Sequence, residues 1–282
     1  MRIFRILSLV PLVANFSHAT ILPENDALIP RNQENGGLTL EEYHRVIDQA
    51  DVVFRPIVEG HGKRLTIRRP WEDPRVNAGA SKRGREWIIN LYGGYARHRH
   101  TTPDGFALVI CHELGHHLGG TPKKLSPERN PRWASAEGQA DYYATAKCLR
   151  KIFSRREFQV PIDPAQVPLT AREKCDKNFS EDLERKVCYR IGLAGLSVGR
   201  VSADIRRSPP PALETPDLTV IESTYKDHPL PQCRLDTYFQ GAICPIPATV
   251  PFSETDETSG ACHPAAGHQE GVRPSCWFRS SR

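Results

Sequence analysis

The stretch from Thr102 to Gly120 constrains this chain more than any other. Thr102-Pro103-Asp104 reads as a helix start. A hydroxyl caps free N–H groups, a proline loses nothing by lacking its own, and an acid faces the positive helix end. Phe106, Val109, Ile110 and Leu114 then recur at helical spacing up to Leu118, and Gly119-Gly120 stops the helix. On it stand His112-Glu113-Leu114-Gly115-His116. Histidines at this spacing lie one turn apart on one face, so two imidazoles can converge on one ion. Glu113, one position round, reaches a water held by such an ion without ligating it.

A catalytic zinc needs a third protein ligand and an open position. The pattern His-Glu-x-x-His-x-x-Gly-x-x-His would put a third histidine where Pro122 stands, and proline cannot bind. Glu137 supplies a carboxylate from a second helix, which the pattern starts near Pro131 or Arg132 and carries to about Ile152. Asp141, one turn further on the same face, can accept the free ring N–H of a zinc histidine. The expected cofactor is therefore one Zn(2+) per chain, held by His112, His116 and Glu137. An ordinary acidic stripe on an exposed helix is the competing reading of Glu137 and Asp141. His117 points off the ligand face, as a packing or surface residue. His98 and His100 read as a solvated loop, and Tyr142 and Tyr143 as core.

The compartment follows from both ends of the chain. A basic start, Met1 to Arg5, precedes an apolar run from Ile6 to Phe16, with small Ser17 and Ala19 placed for cleavage after Ala19. Residues 1–19 thus read as a signal peptide; the run is short and Pro11 breaks it, so no transmembrane segment is expected after its removal. The eight cysteines, with no Cys-x-x-Cys pair among them, fit disulfides in an oxidising compartment, periplasmic or extracellular. Cys111 fits a free core thiol equally well, and Cys262 with Cys276 is expected to staple the tail to itself. The net charge of +5 has no dense Lys/Arg block behind it, which argues against a nucleic-acid partner.

Residues 20–37 read as a flexible arm, 38–240 as one domain and 241–282 as a Pro-rich, Cys-containing tail. Inside the domain, Thr39 caps a helix with Glu42 in a capping box. Leu65–Ile67 and Trp87–Tyr92 look like strands. Glu181 to about Ile205 reads as a helix, and a short one surrounds Gln232 to Phe239. The expected fold class is α+β.

Glu137-Gly138-Gln139-Ala140-Asp141 resembles the Glu-x-x-Ala-Asp motif of the M48-type zinc metallopeptidases, a gluzincin family. Asn77-Ala78-Gly79-Ala80 looks like that family's Asn-Ala-Phe-Ala segment, with Gly79 in place of the aromatic. His228-Pro229 with Arg234 resembles its late His-Pro-x-x-x-x-Arg motif. The resemblance covers about Thr39 to Phe239 and implies a zincin-like fold with a substrate-binding edge strand, here Ile88, Ile89, Asn90, Leu91 and Tyr92. It implies a metalloendopeptidase acting on extended or unfolded polypeptide, with Glu113 as general base. His228 becomes the donor to the developing oxyanion, and Arg234 positions it or shares the role. A catalytically inactive zinc- or peptide-binding module, or an amidase acting on cell-wall peptide, is the alternative.

Overall fold

The computed structural model describes residues 19–32, 36–125 and 131–280. The leader expected over 1–19 lies outside these residues except for Ala19. In chain order the elements are β1 Ala19–Thr20, α1 Leu40–Gly60, β2 Arg64–Arg68, β3 Ala78–Arg83, β4 Glu86–Leu91 and the single turn α2 Gly93–Ala96. There follow α3 Pro103–Leu118, the hairpin β5 Lys123–Leu125 with β6 Pro131–Ser135, and α4 Glu137–Tyr143. Alpha4 runs through a π turn, Ala144–Cys148, into α5 Leu149–Phe153. Alpha6 Leu169–Asn178, α7 Asp182–Arg206 and α8 Pro231–Ile243 complete the helices. This is a mixed α+β architecture in which α3 is buried among α1, α4, α7 and the sheet.

Local chemistry explains the firmest elements. Alpha1 starts at the capping box, with Thr39 N–H donating to Glu42 Oε2 at 2.9 Å and Glu42 N–H donating to Thr39 Oγ1 at 3.2 Å. Tyr43, Val46, Ile47, Ala50 and Phe54 then bury one face. Alpha3 begins at Thr102, whose hydroxyl accepts from Gly105 N–H at 3.0 Å. It has almost no polar face because it is enclosed on every side. Gly115 permits this: a Cβ there would meet the Ala140 carbonyl oxygen at 2.8 Å, so α3 and α4 touch backbone to backbone.

Four expectations are corrected. The sheet order is β1-β3-β4-β2, so β4 is interior, antiparallel to β3 on one side and parallel to β2 on the other. Ile88, Ile89, Asn90 and Leu91 therefore offer no free edge, and Tyr92 lies beyond the strand. The cause is β3, whose Ala-Gly-Ala-Ser start has no alternation to betray a strand. Secondly, residues 131–135 are strand rather than helix, and α4 starts only at Glu137. Thirdly, the start of the stretch expected as a flexible arm is bound to the sheet: Thr20 pairs with Gly79, and Ile21 and Leu22 are fully buried.

The fourth correction concerns the cysteines. The pairs are Cys111–Cys148, Cys175–Cys188, Cys233–Cys276 and Cys244–Cys262. The tail is stapled to α8 and its end, not to itself, with Cα separations of 5.9 and 5.8 Å. No helix among the described residues is long and apolar enough to cross a membrane. Native protein is expected to show no free thiol by mass labelling, and eight after reduction. Replacing Cys111 and Cys148 together by Ala should cost about 2–5 kcal/mol in denaturant unfolding. A full set of free thiols in the native protein would overturn the pairing.

Candidate metal centre

Alpha3 and α4 meet at Gly115, and their polar side chains converge beside that contact. His112 Nε2 and His116 Nε2 are 3.1 Å apart. Glu137 Oε2 stands 3.2 Å from the first and 3.7 Å from the second. Atoms bound to one tetrahedral ion at about 2.0–2.2 Å stand about 3.3–3.6 Å apart. The triangle fits a single four-coordinate ion with one position left over.

The other ends of the rings fix this orientation. His112 Nδ1 is 2.6 Å from Asp141 Oδ1, and His116 Nδ1 is 3.0 Å from the Ser135 carbonyl oxygen. Each Nδ1–H donates outward, so each Nε2 lone pair is turned to the common point. Asp141 is gripped in turn by Arg234, Nε to Oδ2 at 2.8 Å and Nη2 to Oδ1 at 2.7 Å. Burial alone would raise the Asp141 carboxyl, but Arg234 and then His112 hold it down to about 2. Burial likewise works to raise Glu137, and the Coulombic interactions with His228, His116 and Lys124 hold it well below the usual range instead.

Lys124, which carried no sequence signal, donates from Nζ to Glu137 Oε1 at 2.5 Å. It occupies one carboxylate oxygen and leaves Oε2, which has no hydrogen-bond partner, to the triangle. Glu113 is wholly buried, and neither of its oxygens has a partner. Burial lifts its pKa to about 8. A buried carboxylate left unsatisfied by the protein is rare and marks a site meant for something else.

His228 is brought to the same place. Its Nε2 is 3.5 Å from Glu137 Oε2 and 2.8 Å from the Thr20 carbonyl oxygen, while Nδ1 is 2.8 Å from Asp227 Oδ1. The hydrogen bond to His228, set against burial, holds Asp227 down to about 2. Arg234 differs from expectation. It does not join His228 but pairs with Asp141, and its Nη1 donates to the Ile21 carbonyl. Its rigid fork matches a carboxylate bidentately, which draws it behind His112.

The remaining histidines also find places. His117 is sandwiched between Trp87 and Trp133, with ring centroids 4.9 and 4.6 Å away. His98 is not solvated: it is buried 3.2 Å from Asp204 Oδ2, and burial pushes it down to about 4. Asp217, Cys233 and Cys276 also cluster, but both sulfurs are consumed in a disulfide. Comparison with family models, curated proteins and solved structures finds no match.

Proposed function

We propose that this chain is an exported zinc metallopeptidase of the gluzincin type, similar to the M48 family. The reading is carried by one observation: a ligand triangle of the right size beside a buried glutamate with no partner of its own. Four disulfides fit export. Of the metals that suit two imidazoles and a carboxylate in a four-coordinate site, zinc matches best.

Bound there, zinc supplies Lewis acidity toward water and a substrate carbonyl. Glu113 takes the proton of the attacking water and passes it to the leaving amine. His228, held from behind by Asp227, donates to the oxygen on which charge develops. Asp141 keeps His112 in the Nδ1–H tautomer, and Arg234 keeps Asp141 ionised. Lys124 holds Glu137 to a single ligating oxygen.

The test is metal content and hydrolysis measured together on the exported protein. The parent should carry one zinc and cleave a denatured-protein mixture. His112→Ala, His116→Ala and Glu137→Ala should each lose zinc and turnover. Unchanged zinc affinity in Glu137→Ala would overturn the ligand set. Full zinc with no hydrolysis would favour the binding-module alternative. His228→Phe should keep zinc and thermal stability while lowering kcat by about 10²–10³, far more than it changes KM. A loss of stability with normal turnover per zinc-loaded molecule would remove His228 from the chemistry.

A further inference from the structure

Beta4 has no open edge, yet a polypeptide does lie along this sheet at the site. Ala19 and Thr20 pair antiparallel with Ala80 and Gly79 on the outer edge of β3, and Ile21 N–H donates to the Ala78 carbonyl at 3.3 Å. Asn77 clamps the next residue through both ends of its amide, with Leu22 N–H and Leu22 C=O each at 3.2 Å. Two carbonyls of this strand are held by the site itself. The Thr20 oxygen accepts from His228 Nε2 at 2.8 Å, and the Ile21 oxygen accepts from Arg234 Nη1. His228 Nε2 is also 3.5 Å from Glu137 Oε2, so the Thr20 carbonyl sits beside the ligand triangle. With this strand in place His112, Glu113, His116 and Glu137 have no exposed surface.

Gly79 supplies an independent indication. A Cβ at this position would stand 3.1 Å from the Ala19 carbonyl oxygen and 3.5 Å from Thr20 Cγ2. A side chain here would press on β1, whose nearest atoms would have to give by a few tenths of an ångström. This is the residue at which the chain departs from the aromatic of the family it resembles.

The geometry points to the outer edge of β3, with His228 and Arg234, as a binding site for an extended polypeptide whose ligand here is residues 19–22 of the same chain. Main-chain pairing supplies the affinity, as in strand addition generally, and the buried Ile21 and Leu22 side chains lock the segment down. Another polypeptide reaches the site only when this strand leaves, and local opening of a terminal strand allows slow turnover in the closed chain. The role of His228 in this inference rests on the function proposed above.

The experiment uses the full, zinc-loaded chain carrying Glu113→Gln, so that no readout needs hydrolysis. The probe is a fluorescent, acetylated peptide of sequence Ala-Thr-Ile-Leu-Pro-Glu. Ile21→Asp, which removes a buried anchor of the strand and leaves the β3 edge unaltered, should bind the peptide at least about tenfold more tightly than the unsubstituted chain. Zinc extraction by a chelator should quicken in parallel. Where Ile21→Asp fails to melt cooperatively, Leu22→Asp takes its place. Hydrogen exchange on the chain with no strand substitution adds a third arm, since excess peptide should speed exchange of residues 19–22. Equal peptide affinity with and without the strand-displacing change, or exchange of 19–22 unaffected by saturating peptide, overturns the inference. Peptide binding with no hydrolysis by the Glu113-bearing Ile21→Asp protein sinks the catalytic reading and leaves this site standing. Equal hydrolysis by the closed and displaced chains, with equal peptide affinity, does the reverse.

Discussion

Glu113→Gln is expected to abolish hydrolysis while leaving zinc content and fold as they are. The amide has nearly the volume of the carboxylate, so the closely packed contact between α3 and α4 is undisturbed. It has no basic oxygen, so the proton of the attacking water has nowhere to go, and the loss should reach at least about 10²–10⁴ in kcat. Stability should hold or rise, because a wholly buried carboxylate with no hydrogen-bond partner is replaced by a neutral group. Turnover per bound zinc and a thermal melt measure both halves. Residual activity within a few-fold of the parent would remove Glu113 as the base.

Arg234→Met should be the most damaging single change to the fold among the site residues. Arg234 and Asp141 are both fully buried, and two short hydrogen bonds join them. Removing the guanidinium leaves Asp141 as an uncompensated buried charge, at a cost of about 3–5 kcal/mol. Zinc affinity should fall too, because Asp141 no longer holds His112 alone against the pull of its own burial. Asp141→Asn should act mainly on the metal, weakening zinc by about 10–100-fold. The double variant Asp141→Asn with Arg234→Met should recover part of the stability lost by Arg234→Met, because neither charge remains. Denaturant unfolding of the set decides it: no loss in the single variant, or no recovery in the double, would show that this pair does not hold the site together.

The parts of this site legible in the sequence are those set by local spacing. Alpha3 announced itself through its cap, its period and its terminal glycines, and His112, Glu113 and His116 came with it. Glu137 and Asp141 were readable because one turn of helix separates them, even though that helix starts later than its pattern suggested. What depends on distant partners was not legible. Lys124 sits in a three-residue strand whose alternation is too short to notice. Asp227 stands beside His228 in the sequence, but only the fold turns its carboxylate onto the ring. Beta3 lacks the branched and aromatic residues that mark strands, so β4 looked like an edge. The cysteine partners were set by how α8 and the tail pack, which spacing cannot express.

Trp277 lies flat over Gly138, where a Cβ would fall 2.3 Å from the indole, and Cys276 beside it is bonded to Cys233 in the helix that carries Arg234. The floor under Glu137 and the support behind Asp141 are therefore both completed by the last stretch of the described chain. The ligand triangle keeps its floor and its backing only while the Cys233–Cys276 bond ties the tail to α8.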